Sequence, residues 1–192
     1  MVTTKTNVDF SNSKIAFSYK SNKELKRAAR LFKMMNQSWL VKTGSKLGLW
    51  ATKMRLPFSE TIIKKTIFEQ FVGGTTLLGS MPVINKLYAH NILTVLDYGA
   101  EAKDEEQDLN YTMNENIRAI EFALQNKSTP VISTKISGLV RNEILEKVQK
   151  SIKLSASEMA EYQHLLKRLD AICHKAHEHN VKVFIDAEES WV

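Results

Sequence analysis

The sequence predicts an α/β protein in two parts: a basic helical segment over residues 1–68, then a parallel sheet of βα units over residues 69–192. Three observations carry this. Beyond residue 70, apolar residues at helical spacing alternate with short β-branched and aromatic runs, the order of elements that builds a parallel sheet. The runs end at Asp97, Lys135 and Asp186, separations of 38 and 51 residues, which leaves room for a crossover helix between each pair. The runs are also continuous rather than alternating, as strands buried on both faces should be.

Residues 1–13 are polar and are expected to be frayed or loosely docked. A first helix is predicted from Ser21-Asn22. Leu25, Ala28, Ala29, Leu31, Phe32 and Met35 recur at helical spacing, with Lys23, Lys26, Arg27, Arg30 and Lys33 toward water. A second helical stretch carries Trp39, Leu40, Val41, Leu47, Leu49 and Trp50, interrupted by Gly44 and Gly48. Pro57 breaks the pattern, and Ser59 is placed to cap a helix through Ile62, Ile63, Ile67 and Phe68.

The character changes at Phe71-Val72-Gly73-Gly74-Thr75-Thr76. A helix through Leu77, Leu78, Val83, Ile84, Leu87 and Tyr88 follows, with Pro82 better suited to its first turns than to its middle. The first strand is predicted over Asn91–Asp97, then an acidic loop from Glu101 to Asp108. A helix through Met113, Ile117, Ile120, Phe122, Ala123 and Leu124 leads to the second strand, Pro130–Ser137. After a short helix near Arg141–Lys153, Ser155-Ala156-Ser157-Glu158 has the spacing of a capping box. The long helix it opens is expected to bury Met159, Tyr162, Leu165, Leu166, Leu169, Ile172 and Cys173. It should end near His179-Asn180, where Asn suits a left-handed position. The third strand, Val181–Asp186, follows and runs into Ala187-Glu188-Glu189-Ser190-Trp191.

Composition sets the bounds. The 192 residues are 43% hydrophobic and 25% charged, an ordinary globular profile. That is enough for one domain and short of the roughly 250 residues of a complete eight-stranded α/β barrel. A single cysteine excludes an internal disulfide and points to a reducing compartment. No stretch approaches the roughly 20 apolar residues of a membrane span. Met1–Asn7 is not followed by the apolar core of a signal peptide. The net charge of +6 is uneven: residues 1–70 hold 14 Lys/Arg against 4 Asp/Glu, and the remainder 13 against 17. A basic first third can face a membrane, a nucleic acid or an acidic partner, or be a solvated helical surface.

The chemistry-bearing pattern is the set of strand ends. Asp97, Lys135 and Asp186 each close a strand, and the C-terminal ends of parallel strands are where α/β folds bind ligands. A lysine between two aspartates stays charged and can hold a carboxylate or phosphate. A buried ion-pair network at a sheet rim would use the same residues. Gly73-Gly74-Thr75 lacks the full spacing of either nucleotide fingerprint and reads as a turn. His174, His177 and His179 cluster at a helix C-terminus, where the dipole favours them, and show no metal-binding His-Glu-x-x-His spacing.

Four segments, Glu69–Leu77, Leu96–Glu101, Ile132–Leu139 and Val183–Glu189, together resemble the flavin-dependent proline dehydrogenases. Val183-Phe184-Ile185-Asp186-Ala187-Glu188-Glu189 is similar to that family's Ile-Asp-Ala-Glu-Glu strand. Ile132-Ser133-Thr134-Lys135-Ile136-Ser137-Gly138-Leu139 resembles its Ile-Ser-x-Lys-Leu-Ser-x-Leu strand. Glu69–Leu77 resembles its Glu-Gln-Phe-Val-x-Gly-Glu-Thr segment. Leu96–Glu101 stands in the place of its Asp-x-x-Gly-Glu strand end, with Gly99-Ala100 where the family has x-Gly. The resemblance implies a (βα)8 TIM-type barrel that oxidises L-proline to pyrroline-5-carboxylate, passing a hydride to FAD and electrons to a membrane quinone. It implies that Lys135 helps bind the substrate carboxylate and that Asp186 and Asp97 are active-site aspartates. Glu101 would gate the site by pairing with a late arginine.

The family's flavin-holding residues lie on later strands than any found here. The chain is therefore expected to be the N-terminal part of a barrel, truncated, with substrate-pocket residues and none of the main FAD contacts. The implied location is cytoplasmic, in reach of the inner membrane surface, with no nucleic-acid partner and an oligomeric state left open. Two alternatives stand beside this one. Lys135 could be the Schiff-base nucleophile of an aldolase-type lyase, its pKa lowered by burial. Or the chain could be a non-catalytic half-barrel whose basic helices bind a membrane surface or nucleic acid.

Overall fold

A computed structural model describes residues 11–57, 59–101 and 103–188. The expected frayed terminus before Ser11 and the Glu189-Ser190-Trp191 end of the last motif lie outside the described residues. The chain divides into two compact units, Met1–Lys86 and Leu87–Val192.

The first unit is helical. At the end of the stretch expected to be frayed, α1 (Ser13–Ala16) forms a single turn, and Asn12 Oδ1 accepts from the Ile15 N–H at 3.3 Å. α2 (Asn22–Met35) starts where the pattern placed it. Its start is fixed by a capping box: Ser21 N–H donates to Glu24 Oε2 at 2.6 Å, and Glu24 N–H to Ser21 Oγ at 3.3 Å. α2 buries Leu31, and Phe32 meets Phe71 edge-on with centroids 6.0 Å apart. α3 (Ser38–Lys53) packs on α2 and runs unbroken through Gly44 and Gly48, against the expected interruption. A lone helical glycine costs about 1 kcal/mol, too little to end a helix that its neighbours sustain.

Ser59 does not cap as expected. It is the first residue of α4 (Ser59–Ile63), and its Oγ donates to the Leu56 carbonyl at 2.8 Å. The helix then widens into a π turn (Lys64–Phe68), where Thr66 Oγ1 donates back to the Ile62 carbonyl, and closes with α5 (Glu69–Phe71). α6 (Leu77–Tyr88) contains Pro82 as its sixth residue. Thr76 Oγ1 accepts from Gly79 N–H at 3.0 Å and so secures the start of that helix. At Gly74 an added Cβ would stand 2.7 Å from the Ser80 backbone nitrogen. The glycine is there because the α6 backbone fills the space beside it, so this turn is not an open phosphate cradle.

The second unit is a three-stranded parallel sheet in the order β1-β2-β3, with helices in its crossovers. β1 (Val95–Asp97) is shorter than predicted, because Asn91 takes a left-handed conformation (φ 60°) as the chain leaves α6. α7 (Glu106–Gln125) begins inside the predicted acidic loop and takes Glu106 and Asp108 into its first turn, where the helix dipole favours acids. β2 (Val131–Lys135) runs into a 3-10 turn, Ile136–Gly138, and then α8 (Asn142–Gln149). α9 (Ala156–Glu178) opens with the predicted capping box of Ser155 and Glu158. The chain turns at Asn180 (φ 53°) and enters β3 (Lys182–Asp186).

The core lies between β2, α7 and α9, around Ile120, Ile132, Leu139, Ile144 and Ile172. The buried stripe of α9 is Leu165, Arg168, Ile172 and Ala176. Met159, Leu166 and Cys173, expected on that stripe, are exposed. Two-sided burial also fails as a general rule for the strands. In β2 only Ile132 and Thr134 are buried, and Val95, Phe184 and Ile185 on the flanking strands are exposed. Among the described residues no helix is long and apolar enough to cross a membrane.

Candidate active site

Strand register places the ionisable residues. Asp97 pairs with Ser133 across β1–β2, and Lys135 pairs with Asp186 across β2–β3. Paired residues of parallel strands share a face, and side chains alternate along each strand. Ile132 and Thr134 occupy the buried face on which α7 packs. Asp97, Lys135 and Asp186 therefore lie on the opposite face, at the C-terminal rim.

Three carboxylates close on Lys135. Its Nζ lies 3.0 Å from Glu101 Oε1, 3.2 Å from Asp186 Oδ2 and 3.6 Å from Glu188 Oε1. The Lys135 side chain is 13% exposed and that of Glu188 14%, while Glu101 at 57% and Asp186 at 47% stand open to solvent. Glu188 is fixed from behind, since the Ser137 N–H donates to its Oε2 at 3.2 Å. Beside the lysine is a cavity of about 350 Å³, lined among others by Glu101, Ser137, Asn142 and Asp186. Asn142 Oδ1 is buried without a hydrogen-bond partner.

The electrostatics give the lysine and Asp97 opposite characters. The hydrogen bond from Lys135 to Glu101 raises the lysine's pKa above its ordinary value. Burial opposes this, and Asp186 and Asp97 reinforce it. Lys135 is thus a permanent ammonium, the wrong state for a Schiff-base nucleophile, which must be neutral to attack. Asp97 makes no ion pair with Lys135 within 4 Å. Burial raises its pKa; the lysine charge opposes the shift, and Asp186, Glu101 and Glu188 add to it. Its carboxyl thus holds a proton more tightly than an ordinary aspartate does.

All four residues singled out from the sequence fall in this unit, and three of them, Lys135, Asp186 and Glu101, are in direct contact. Sequence reasoning missed two. Glu188 carried a signal, being one of the acids that end the third strand. Asn142 carried none. Among the described residues no group of three or more His, Cys, Asp or Glu side chains converges as a metal site. His174 lies 3.4 Å from Glu178 on its own helix.

The charged cavity at the strand ends of this parallel sheet lies where α/β enzymes bind their ligands. The proline dehydrogenase family model matches residues 80–192, and the chain belongs to that family. It is similar to the carbapenem antibiotics biosynthesis protein CarD of Pectobacterium carotovorum subsp. carotovorum, 24% identical over 145 residues, 76% of this chain and 39% of that protein. It is 31% identical over 105 residues to proline dehydrogenase 1, mitochondrial, of Caenorhabditis elegans, covering 53% of this chain and 17% of the relative. The Dictyostelium discoideum protein of the same name is 24% identical over 166 residues, 67% of this chain and 29% of the relative. The chain thus spans well under half the length of each.

The family implies FAD, and the residues of the cavity do not fit it. The FAD pyrophosphate is anionic, and here the lining carboxylates Glu101, Asp186 and Glu188 outnumber Lys135 by three to one. A small zwitterion, with one carboxylate for the lysine and one ammonium for the acids, suits the cavity better.

Proposed function

We propose that the chain supplies part of the L-proline site of an FAD-dependent proline dehydrogenase. Such an enzyme oxidises L-proline to pyrroline-5-carboxylate and passes the electrons to a quinone at the membrane surface. The observation that supports this best is the Lys135 cluster, at the strand-end rim of a chain whose residues 80–192 match the family. On this reading residues 69–192 are the first βα units of a (βα)8 barrel, preceded in the chain by a basic helical segment over residues 1–68. The face carrying Asp97, Lys135 and Asp186 then lines the barrel interior.

Each residue takes a role from its surroundings. Lys135 binds the substrate carboxylate, with Glu101, its most exposed partner, giving way as substrate enters. Asp186 and Glu188 face the substrate ammonium. Asp97, with its raised proton affinity, takes up the proton that the substrate nitrogen loses. A cytoplasmic location beside the inner membrane fits this assignment.

Titration of the chain with L-proline, followed by NMR at the Lys135 ammonium, tests the assignment. L-proline is expected to shift that signal, and Asp186→Asn to weaken the binding. A signal unmoved at about 10 mM L-proline, above ordinary KM values, would overturn it.

A further inference from the structure

We infer that Arg168 is a positioning residue for the Lys135 cluster, a buried tie between the start of α7, into which the Glu101 loop runs, and the end of the turn that follows Lys135. Arg168 sits midway along α9 and is only 3% exposed. Its Nε donates to Asn110 Oδ1 at 2.9 Å, its Nη1 to the Leu139 carbonyl at 2.8 Å, and its Nη2 to the Glu106 carboxylate. Glu106 opens α7 five residues beyond Glu101, and Leu139 follows the 3-10 turn that begins directly after Lys135. One guanidinium therefore grips both segments whose ends meet in the 3.0 Å Lys135–Glu101 bond.

Two further contacts converge on the same turn. An added Cβ on Gly138 would stand 2.6 Å from the Ala100 carbonyl oxygen, so turn and loop meet backbone to backbone one residue before Glu101. The Ser137 N–H holds Glu188. A leucine in the stripe of Leu165, Ile172 and Ala176 would fill the space of Arg168 without the cost of desolvating a cation. What the arginine adds is the direction and spacing of three bonds, which its planar fork suits.

The inference rests on the Lys135 cluster being a substrate site. Its test reads the geometry of the cluster without substrate, so either can fail alone. In the full chain, Arg168→Met and Arg168→Lys are expected to speed hydrogen exchange of the Lys135 ammonium about tenfold, the scale of one lost charge-assisted hydrogen bond. Gly138→Ala should do the same by pushing Ala100 away. Ile172→Val, which trims the same helix at a buried site, should lower stability and leave that exchange unchanged. If Arg168→Met does not fold, Arg168→Lys and Gly138→Ala decide. Folded variants that exchange at the parent rate, or an equal effect from Ile172→Val, would overturn the inference.

Discussion

Lys135 and Asp186 are partners twice over: they face each other in the parallel register of β2 and β3, and their side chains form an ion pair at 3.2 Å. The backbone ladder thus fixes half of the site before any side chain is placed. Lys135→Met should expose what the lysine does for its neighbours, because Glu188 stays largely buried without its cation. A loss of about 1–3 kcal/mol is expected, measured by urea unfolding. Adding Glu188→Gln should recover part of it. A double variant no more stable than the single one would show that the two charges are not coupled.

Two sets of carboxylates should give this chain opposite pH dependences. Asp97 is held above its ordinary 3.8, so the folded chain binds an extra proton between that value and the folded one. Its contribution is complete below about 3.8 and declines as pH rises through the folded value. Glu24 and Glu158 run the other way, each lowered from 4.5 to about 2, mainly by hydrogen bonds from Lys86 and Lys147 respectively. Their contribution is present above 4.5 and is lost as pH falls toward 2. Unfolding free energies measured across about pH 2 to 7 should show both limbs. Asp97→Asn should flatten the upper limb alone, and Glu158→Gln the lower.

Much of this was legible in the sequence, and the misses have physical causes. Strand ends were readable because β-branched runs stop at Asp97, Lys135 and Asp186, each after a stretch of helical spacing. The capping box at Ser155 was readable from its Ser-x-x-Glu spacing, and Ser21 and Glu24, with the same spacing, form a second one. Arg168 was missed because residue type outweighed position. It lies three after Leu165 and four before Ile172, on the buried stripe, and its burial depends on Glu106 and Asn110, about 60 residues away. Such partners have no local signature. Asn142 belongs to the site only because α8 starts beside the cavity.

Cys173 is the plainest test of the α9 surface. The apolar pattern put it beside Ile172 in the core, but adjacent helical residues are turned about 100° apart, and the cysteine faces solvent. As the single cysteine of the chain, it should react with a thiol reagent to one equivalent without denaturant. A thiol that reacts only after unfolding would place α9 in a different rotation.

The same cluster decides between amine chemistry and carboxylate binding at Lys135. A Schiff base forms when a neutral amine attacks a carbonyl, and Lys135 is kept protonated by its bond to Glu101 with Asp186 and Asp97 in support. Borohydride reduction in the presence of a keto acid should therefore leave Lys135 unmodified at neutral pH, as read by peptide mass. Removing two partners, as in Glu101→Gln with Asp186→Asn, lowers the ammonium's pKa and should allow slow trapping at alkaline pH. Trapping in the parent chain at neutral pH would mean that the amine is free of its carboxylates in solution. The site would then belong with lysine lyases, against the family that the rest of residues 80–192 indicates.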